Sequence, residues 1–430
     1  MNIFVAILAL SFLIIVHEFG HFIVAKLSGI KVLEFSLFMG PKLFSLKRGE
    51  TTYSIRSIPL GGYVKMEGEE QESSDDRAYN RKPVYIRAAV IAAGPIMNLI
   101  VAVIFLTIIT SVAGYRTTNI RYVEENSPAY NAGIREGDRV LTYNGKKILH
   151  PMDVELFKFG NKGKPVGIEF ERNGIKQKAE ITPEIFKENR FLLGFSPMSY
   201  YNDKSNIVRA DSVDSKNQKV LFRKGDKIVR LGSQEISSGR DIRKFLGQNG
   251  DKPINVEVIR NGKTETFTVI PTKSNAPEQY EIGLDFSGEK GNILNSLKHS
   301  AIYSVSLSRN IYYSLAWLVT GNVSMKQMSG PVGIVSTIGD IVEMSPTLAD
   351  RILGLMQITA FISINLGLFN LIPFPALDGS KLVILAIEGI RRKAIPPERE
   401  AFISLIGLAL LIMLMIYATY NDIVRLAGGG

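Results

Sequence analysis

The chain of 430 residues has no cysteine and only four histidines. The first absence removes disulfides and thiolate chemistry, so the compartment must be read from other features. Nothing basic precedes the first apolar run: only Met1 and Asn2 stand before it, and it passes straight into "HEFGH" (residues 17–21). A secretory signal peptide requires a basic start and a small-residue cleavage site, so that reading is set aside. No stripe of Lys and Arg and no nucleic-acid motif organises the formal charge of +10, so a nucleic-acid partner is not expected.

What is present is apolar length. A membrane helix requires roughly 20 apolar residues, and four runs reach it, at about 3–25, 88–114, 353–372 and 402–420. Lys and Arg crowd the loop after the first run, from Lys26 and Lys31 to Arg81, Lys82 and Arg87. The loop between the last two runs carries Lys381, Arg391, Arg392 and Lys393. Positive-inside counting places both loops in the cytoplasm, and the N-terminus, the long insert and the C-terminus on the outer side. Residues 291–321 are amphipathic, with Lys298, His299 and Arg309, which fits an interfacial helix better than a fifth span.

The insert between the second and third runs is duplicated. "GDRVLTYNGKKI" (137–148) aligns with "GDKIVRLGSQEI" (225–236), and "KPVGIEFERNG" (164–174) with "KPINVEVIRNG" (252–262), both at an offset of 88. Each copy reads as short strands between Gly and Asn turns, with one helix near Asp153–Phe157 or Asp241–Leu246. The run "SPAYNAGIREGDRVLTYNGKKI" resembles bacterial PDZ domains; the second copy is more divergent. Such domains bind extended peptides, often C-terminal ones, at a sheet edge. "FLLGFSP" (191–197) and "EIGLDFSG" (281–288) follow the two copies and read as ligand-binding strands or as plain edge strands. A steric gate is a further use for the tandem.

His17 and His21 stand four apart, on one face of a helix and one turn from each other. That spacing lets two imidazoles reach one zinc ion, with Glu18 alongside as general base. Ionisable groups at membrane depth are costly and mark function. A third ligand is needed, and "GLFNLIPFPALDGSK" (367–381) offers Asp378 after the helix-breaking Pro373 and Pro375. The alternative for Asp378 is an ordinary N-cap of the next helix.

"HEFGH", "GPIMN" (94–98) and "NLIPFPALDG" (370–379) together resemble the site-2 protease family of intramembrane zinc metalloproteases. The duplicated insert resembles its bacterial branch, the regulator-of-sigma-E proteases. The resemblance implies Zn2+ on His17, His21 and Asp378, and Glu18 as the catalytic base. It implies substrate contacts from Asn370, Pro373 and Pro375, and from Gly61, Gly62, Tyr63 and Asn98. Where many relatives continue with Gly-His after the aspartate and glycine, this chain has Ser380 and Lys381. The alternating run 35–66 resembles the family's membrane-associated β-loop, whose edge could clamp an unwound substrate; an ordinary cytoplasmic hairpin is the alternative.

The expected fold is a polytopic α-helical membrane protein with four transmembrane helices, a membrane-associated β-hairpin loop and two inserted PDZ-like α+β domains. The expected division is 1–32 (first span), 33–70 (β-loop), 71–115 (cytoplasmic segment and second span), 116–200 and 201–288 (the PDZ-like copies). It continues with 289–350 (outer amphipathic segment), 351–400 (third span and loop) and 401–430 (fourth span and tail). The expected setting is the bacterial inner membrane, with the active site near the cytoplasmic face. The resemblance implies single-span substrates of regulated intramembrane proteolysis: anti-sigma factors after a first cleavage, and remnant signal peptides. A metal transporter would share mid-membrane ligands but more often shows paired membrane repeats. A silent PDZ scaffold would have no use for Glu18.

Overall fold

The computed structural model describes residues 2–69, 71–186, 191–193, 221–223, 226–236, 239–273, 278–325, 328–344, 347–393 and 395–426. Helix α1 (Asn2–Leu27) leads into strands β1 (Val32–Arg48) and β2 (Thr51–Met66), then α2 (Val84–Ala113). There follow β3 (Tyr115–Val123), α3 (Pro128–Asn131), β4 (Arg139–Tyr143), β5 (Lys146–Lys147), α4 (Pro151–Asn161), β6 (Val166–Arg172), β7 (Ile175–Ile181), β8 (Glu184–Phe186) and β9 (Phe191–Leu192). The next series is β10 (Lys227–Leu231), β11 (Gln234–Glu235), α5 (Gly239–Asn249), β12 (Ile254–Arg260), β13 (Lys263–Val269), β14 (Thr272–Lys273), β15 (Gln279–Glu281) and β16 (Leu284–Glu289). The chain closes with α6 (Ile293–Val319), α7 (Pro331–Met344), α8 (Leu348–Leu371), α9 (Asp378–Arg391) and α10 (Pro397–Leu426). It divides into two units, Met1–Tyr115 with Gly288–Gly430, and Arg116–Ser287.

In the first unit, α1, α2, α8 and α10 are long and apolar enough to cross a membrane, the four such helices among the described residues. They lie at the four apolar runs of the sequence. Without a hydrophobic force between helices in lipid, close packing depends on small residues. Gly20 of α1 is such a point: a Cβ there would lie 2.4 Å from the Ala93 carbonyl oxygen of α2. Gly367 of α8 packs likewise on the Pro95 carbonyl. α6 is not among the apolar helices. It turns a hydroxyl-bearing face, Ser296, Ser300 and Ser304, inward, and Ser300 Oγ lies 2.9 Å from Thr110 Oγ1 of α2. The last helix docks on α7 through Asp422, a fully buried carboxylate that accepts from the Gly330 and Gly333 amides at 2.9 and 2.7 Å.

The antiparallel β1–β2 pair is folded back on itself. Residues Glu34–Leu37 face Lys65–Gly62 on one side and Thr52–Ile55 on the other. This leaves the Gly61–Met66 stretch as an edge, and it lies against α1. Gly61 donates to Ser11 Oγ at 3.4 Å, and Ser11 donates to the Pro59 carbonyl at 2.6 Å.

The second unit repeats itself element by element. β4, β5, α4, β6 and β7 recur as β10, β11, α5, β12 and β13, each displaced by 88 residues (139 to 227, 146 to 234, 151 to 239, 166 to 254, 175 to 263). The ion pairs recur at the same offset. Arg172 grips Asp138 through Nε and Nη2 at 2.7 and 2.8 Å, and Arg260 grips Asp226 at 2.7 Å through each. The strands that follow the copies behave differently from a simple tandem. β9 pairs with β14 of the later copy, while β16 pairs with β3 in the sheet of the earlier one, ordered β16-β3-β4-β6-β7. The sheets therefore interleave across residue 200 rather than dividing at it. Residues 194–197 of the first Gly-aromatic segment lie outside the described residues.

Candidate metal centre

Helix geometry brings His17 and His21 onto one face of α1, with ring centroids 4.8 Å apart and Nε2 atoms 3.2 Å apart. Both side chains are buried. Asp378 reaches them from α9, its Oδ2 standing 3.0 Å from His17 Nε2 and 3.5 Å from His21 Nε2. One donor atom from each residue fits within a circle of mutual distances no larger than 4.8 Å.

The donor chemistry fits a divalent cation. His21 Nδ1 lies 2.7 Å from the Val90 carbonyl oxygen, which can only accept, so the ring hydrogen sits on Nδ1 and the Nε2 lone pair faces the cluster. Asp378 Oδ2 is buried without a hydrogen-bond partner. A buried oxygen without a donor is costly, and a cation between it and the two nitrogens removes that cost.

The loop before α9 explains how Asp378 gets there. α8 ends at Leu371, and Pro373 and Pro375 keep residues 372–377 out of a helix. Ala376 takes a left-handed φ of 75°. The N-cap of α9 is Leu377, not Asp378, so the aspartate is free to turn toward the imidazoles. Gly379 is required next to it, because a Cβ would fall 2.2 Å from the Ile372 carbonyl oxygen.

Glu18 lies beside the cluster on α1, and its Oε2 accepts from the Val64 amide at 3.2 Å. Val64 faces Phe35 across the ladder, and its amide points outward from the sheet edge toward α1. The arrangement is therefore two imidazoles, a carboxylate facing them, a second carboxylate one residue along the helix, and a strand edge alongside.

A model of peptidase family M50 matches residues 5–414. The chain belongs to peptidase family M50. A putative zinc metalloprotease of Clostridium acetobutylicum is 32% identical over 424 residues, covering 98% of this chain and 97% of the relative. The zinc metalloprotease RasP of Shouchella clausii is 31% identical over 437 residues, covering 99% and 100%. The regulator of sigma-W protease RasP of Bacillus subtilis is 30% identical over 432 residues, covering 96% of each. The chain is a membrane zinc metalloprotease of the site-2 type, and zinc is its cofactor.

The remaining residues singled out from the sequence of this M50 peptidase fall in three places. Gly61 and Gly62 lie on the strand edge against α1; a Cβ on Gly61 would meet Ile14 at 3.1 Å. Tyr63 turns the other way, its hydroxyl accepting from Arg56 at 2.6 Å. Asn370 lies in the last turn of α8, and Pro375 of the following loop abuts α10, where a Cβ on Gly407 would lie 2.2 Å from the Pro375 carbonyl oxygen. Asn98 is fully buried in α2 with its Nδ2 3.3 Å from His17 Nδ1. Two residues of α2 were not singled out. Val90 acts through its carbonyl. Gly94 makes room: a Cβ there would lie 2.4 Å from His21 Nε2 and 2.8 Å from His17 Nε2. Its place within "GPIMN", read as part of a motif, was the available signal.

Proposed function

We propose that His17, His21 and Asp378 hold the catalytic zinc and that Glu18 is the general base hydrolysing a peptide bond inside transmembrane segments. The convergence of the two Nε2 atoms on a donorless Asp378 oxygen carries this reading. Zinc bound there supplies Lewis acidity, polarising the scissile carbonyl and lowering the pKa of water to about 7. Glu18 takes a proton from the attacking water and delivers it to the leaving amine. Asn370 donates to the developing oxyanion or to the substrate backbone.

A substrate helix exposes no backbone to attack until it unwinds, and each unsatisfied group in lipid costs several kcal/mol. The Gly61–Met66 edge, beside α1, accepts the unwound segment as an added strand, with Pro373 and Pro375 shaping the opposite wall. The substrates are single-span proteins already cut outside the membrane, anti-sigma factors and remnant signal peptides among them. The name of the Bacillus subtilis relative, a regulator of sigma-W protease, supports that class. The duplicated insert forms two PDZ-like domains that take peptide C-termini and filter substrates on the outer side. The Lys and Arg distribution supports that sidedness, in the bacterial inner membrane with the metal centre near the cytoplasmic face.

The test is cleavage of a single-span model substrate by the purified chain and by Glu18→Gln. Loss of at least about 100-fold in rate with zinc content unchanged is expected, and the wild-type cut should map within the apolar span. Undiminished cleavage by Glu18→Gln, or a cut outside the span, would overturn the proposal.

A further inference from the structure

Three residues of α2, Val90, Gly94 and Asn98, stand four apart on one helix face, and that face meets both imidazoles. Val90 offers a carbonyl to His21 Nδ1, and Gly94 leaves space for both Nε2 atoms. Asn98 sets its amide against His17 Nδ1. Asn98 has no exposed surface, and its main-chain carbonyl oxygen accepts from Ser363 Oγ of α8 at 2.7 Å, which holds the backbone at this point.

A ring that binds a cation through Nε2 must carry its hydrogen on Nδ1, and that N–H needs an acceptor. For His21 the acceptor is already in place. For His17 the facing atom is Nδ2 of Asn98, a donor, while Asn98 Oδ1 is buried without any partner. Turning the amide by half a rotation about its last bond exchanges the two atoms. It presents the unpartnered oxygen to the ring. We infer that Asn98 is a positioning residue for His17: with the metal site filled, its side-chain oxygen accepts from His17 Nδ1–H and holds the imidazole in the one tautomer that can ligate. This rests on the metal assignment proposed above, and it removes Asn98 from the substrate-binding set.

The experiment uses the full-length chain in detergent, with zinc affinity read by chelator competition for wild type, Asn98→Leu, Asn98→Asp and His17→Ala. Substrate affinity is read in parallel in a Glu18→Gln background. Leucine keeps the size and removes the acceptor, and zinc binding should weaken by about 10- to 100-fold, with substrate affinity unchanged within about threefold. Aspartate restores an acceptor and should bind zinc at least as tightly as wild type, a rescue that a merely structural role does not produce. Unaltered zinc affinity in Asn98→Leu together with weakened substrate binding would return Asn98 to the substrate site. If Asn98→Leu does not fold, Asn98→Asp decides alone, and a tenfold loss of zinc affinity there overturns the inference. Retention of zinc by His17→Ala would instead refute the metal assignment itself.

Discussion

Gly94 acts through the atom it lacks. Its Cα lies so near His17 and His21 that one methyl group would fall within 3 Å of both Nε2 atoms, well inside ordinary contact. Gly94→Ala should therefore lower zinc content by about tenfold or more while α2 still forms, since alanine favours helices over glycine by about 1 kcal/mol. Metal analysis of the purified variant with a helical circular-dichroism spectrum checks both halves. At this scale the sequence is informative wherever a side chain acts. His17, Glu18 and His21 are readable because the helical repeat puts positions four apart on one face. Val90 acts through a carbonyl, which no side-chain pattern announces, while Gly94 and Gly379 act through missing Cβ atoms and are marked only by their places in "GPIMN" and "NLIPFPALDG". The turn of Asp378 toward the imidazoles is legible only once Leu377 is known to occupy the N-cap.

Among elements, the four apolar helices follow from length alone, and the hairpin from alternation. Its double-sided pairing does not, because whether Glu34–Leu37 pairs on one side or on both depends on how β2 folds back on itself. The hairpin has an ionic anchor at that central stretch. Burial pushes the Glu34 carboxyl up, but hydrogen bonds from Ser54, Arg56 and Lys42 outweigh it and hold the pKa at about 2. The folded value is below the ordinary 4.5, so the stabilisation is complete above pH 4.5 and is lost as pH falls toward 2. Hydrogen exchange at residues 34–37 should be equally protected at pH 7 and 5 after correction for intrinsic rates, and deprotected near pH 3. In Glu34→Gln the step between pH 5 and 3 should vanish. α6 shows a different limit. Its polar residues are visible in sequence, but the packing of its serines on Thr110 of α2 is a property of the pair. α7 is not legible in the sequence as a helix, since its N-terminal end is held by Asp422, about ninety positions later in the chain.

On the scale of the whole molecule, the duplication is plain in the sequence, yet similarity says nothing of which strand pairs with which. The exchange of β9 and β16 between the copies arises from chain path, not composition. What the copies share energetically is the buried Asp–Arg pair. Arg260 is only 10% exposed and Arg172 33% exposed. Removing Asp226 strands the more buried guanidinium, though Glu265 still holds it from the other side. Asp226→Ala should destabilise the insert by about 3 kcal/mol and Asp138→Ala by less, measured by hydrogen exchange of β10, β12, β4 and β6 in the full chain. Equal losses would show that burial of the arginine does not set the cost. A zinc-edge X-ray absorption spectrum of the purified chain, recorded for wild type and for Asp378→Ala, tests the metal assignment most directly. The expected spectrum shows about one zinc per chain, with two imidazole nitrogens at ~2.0–2.1 Å and carboxylate or water oxygens at ~2.0–2.2 Å, and the bound metal is lost in the variant. A wild-type spectrum without histidine ligation, or one that survives Asp378→Ala unchanged, would contradict it.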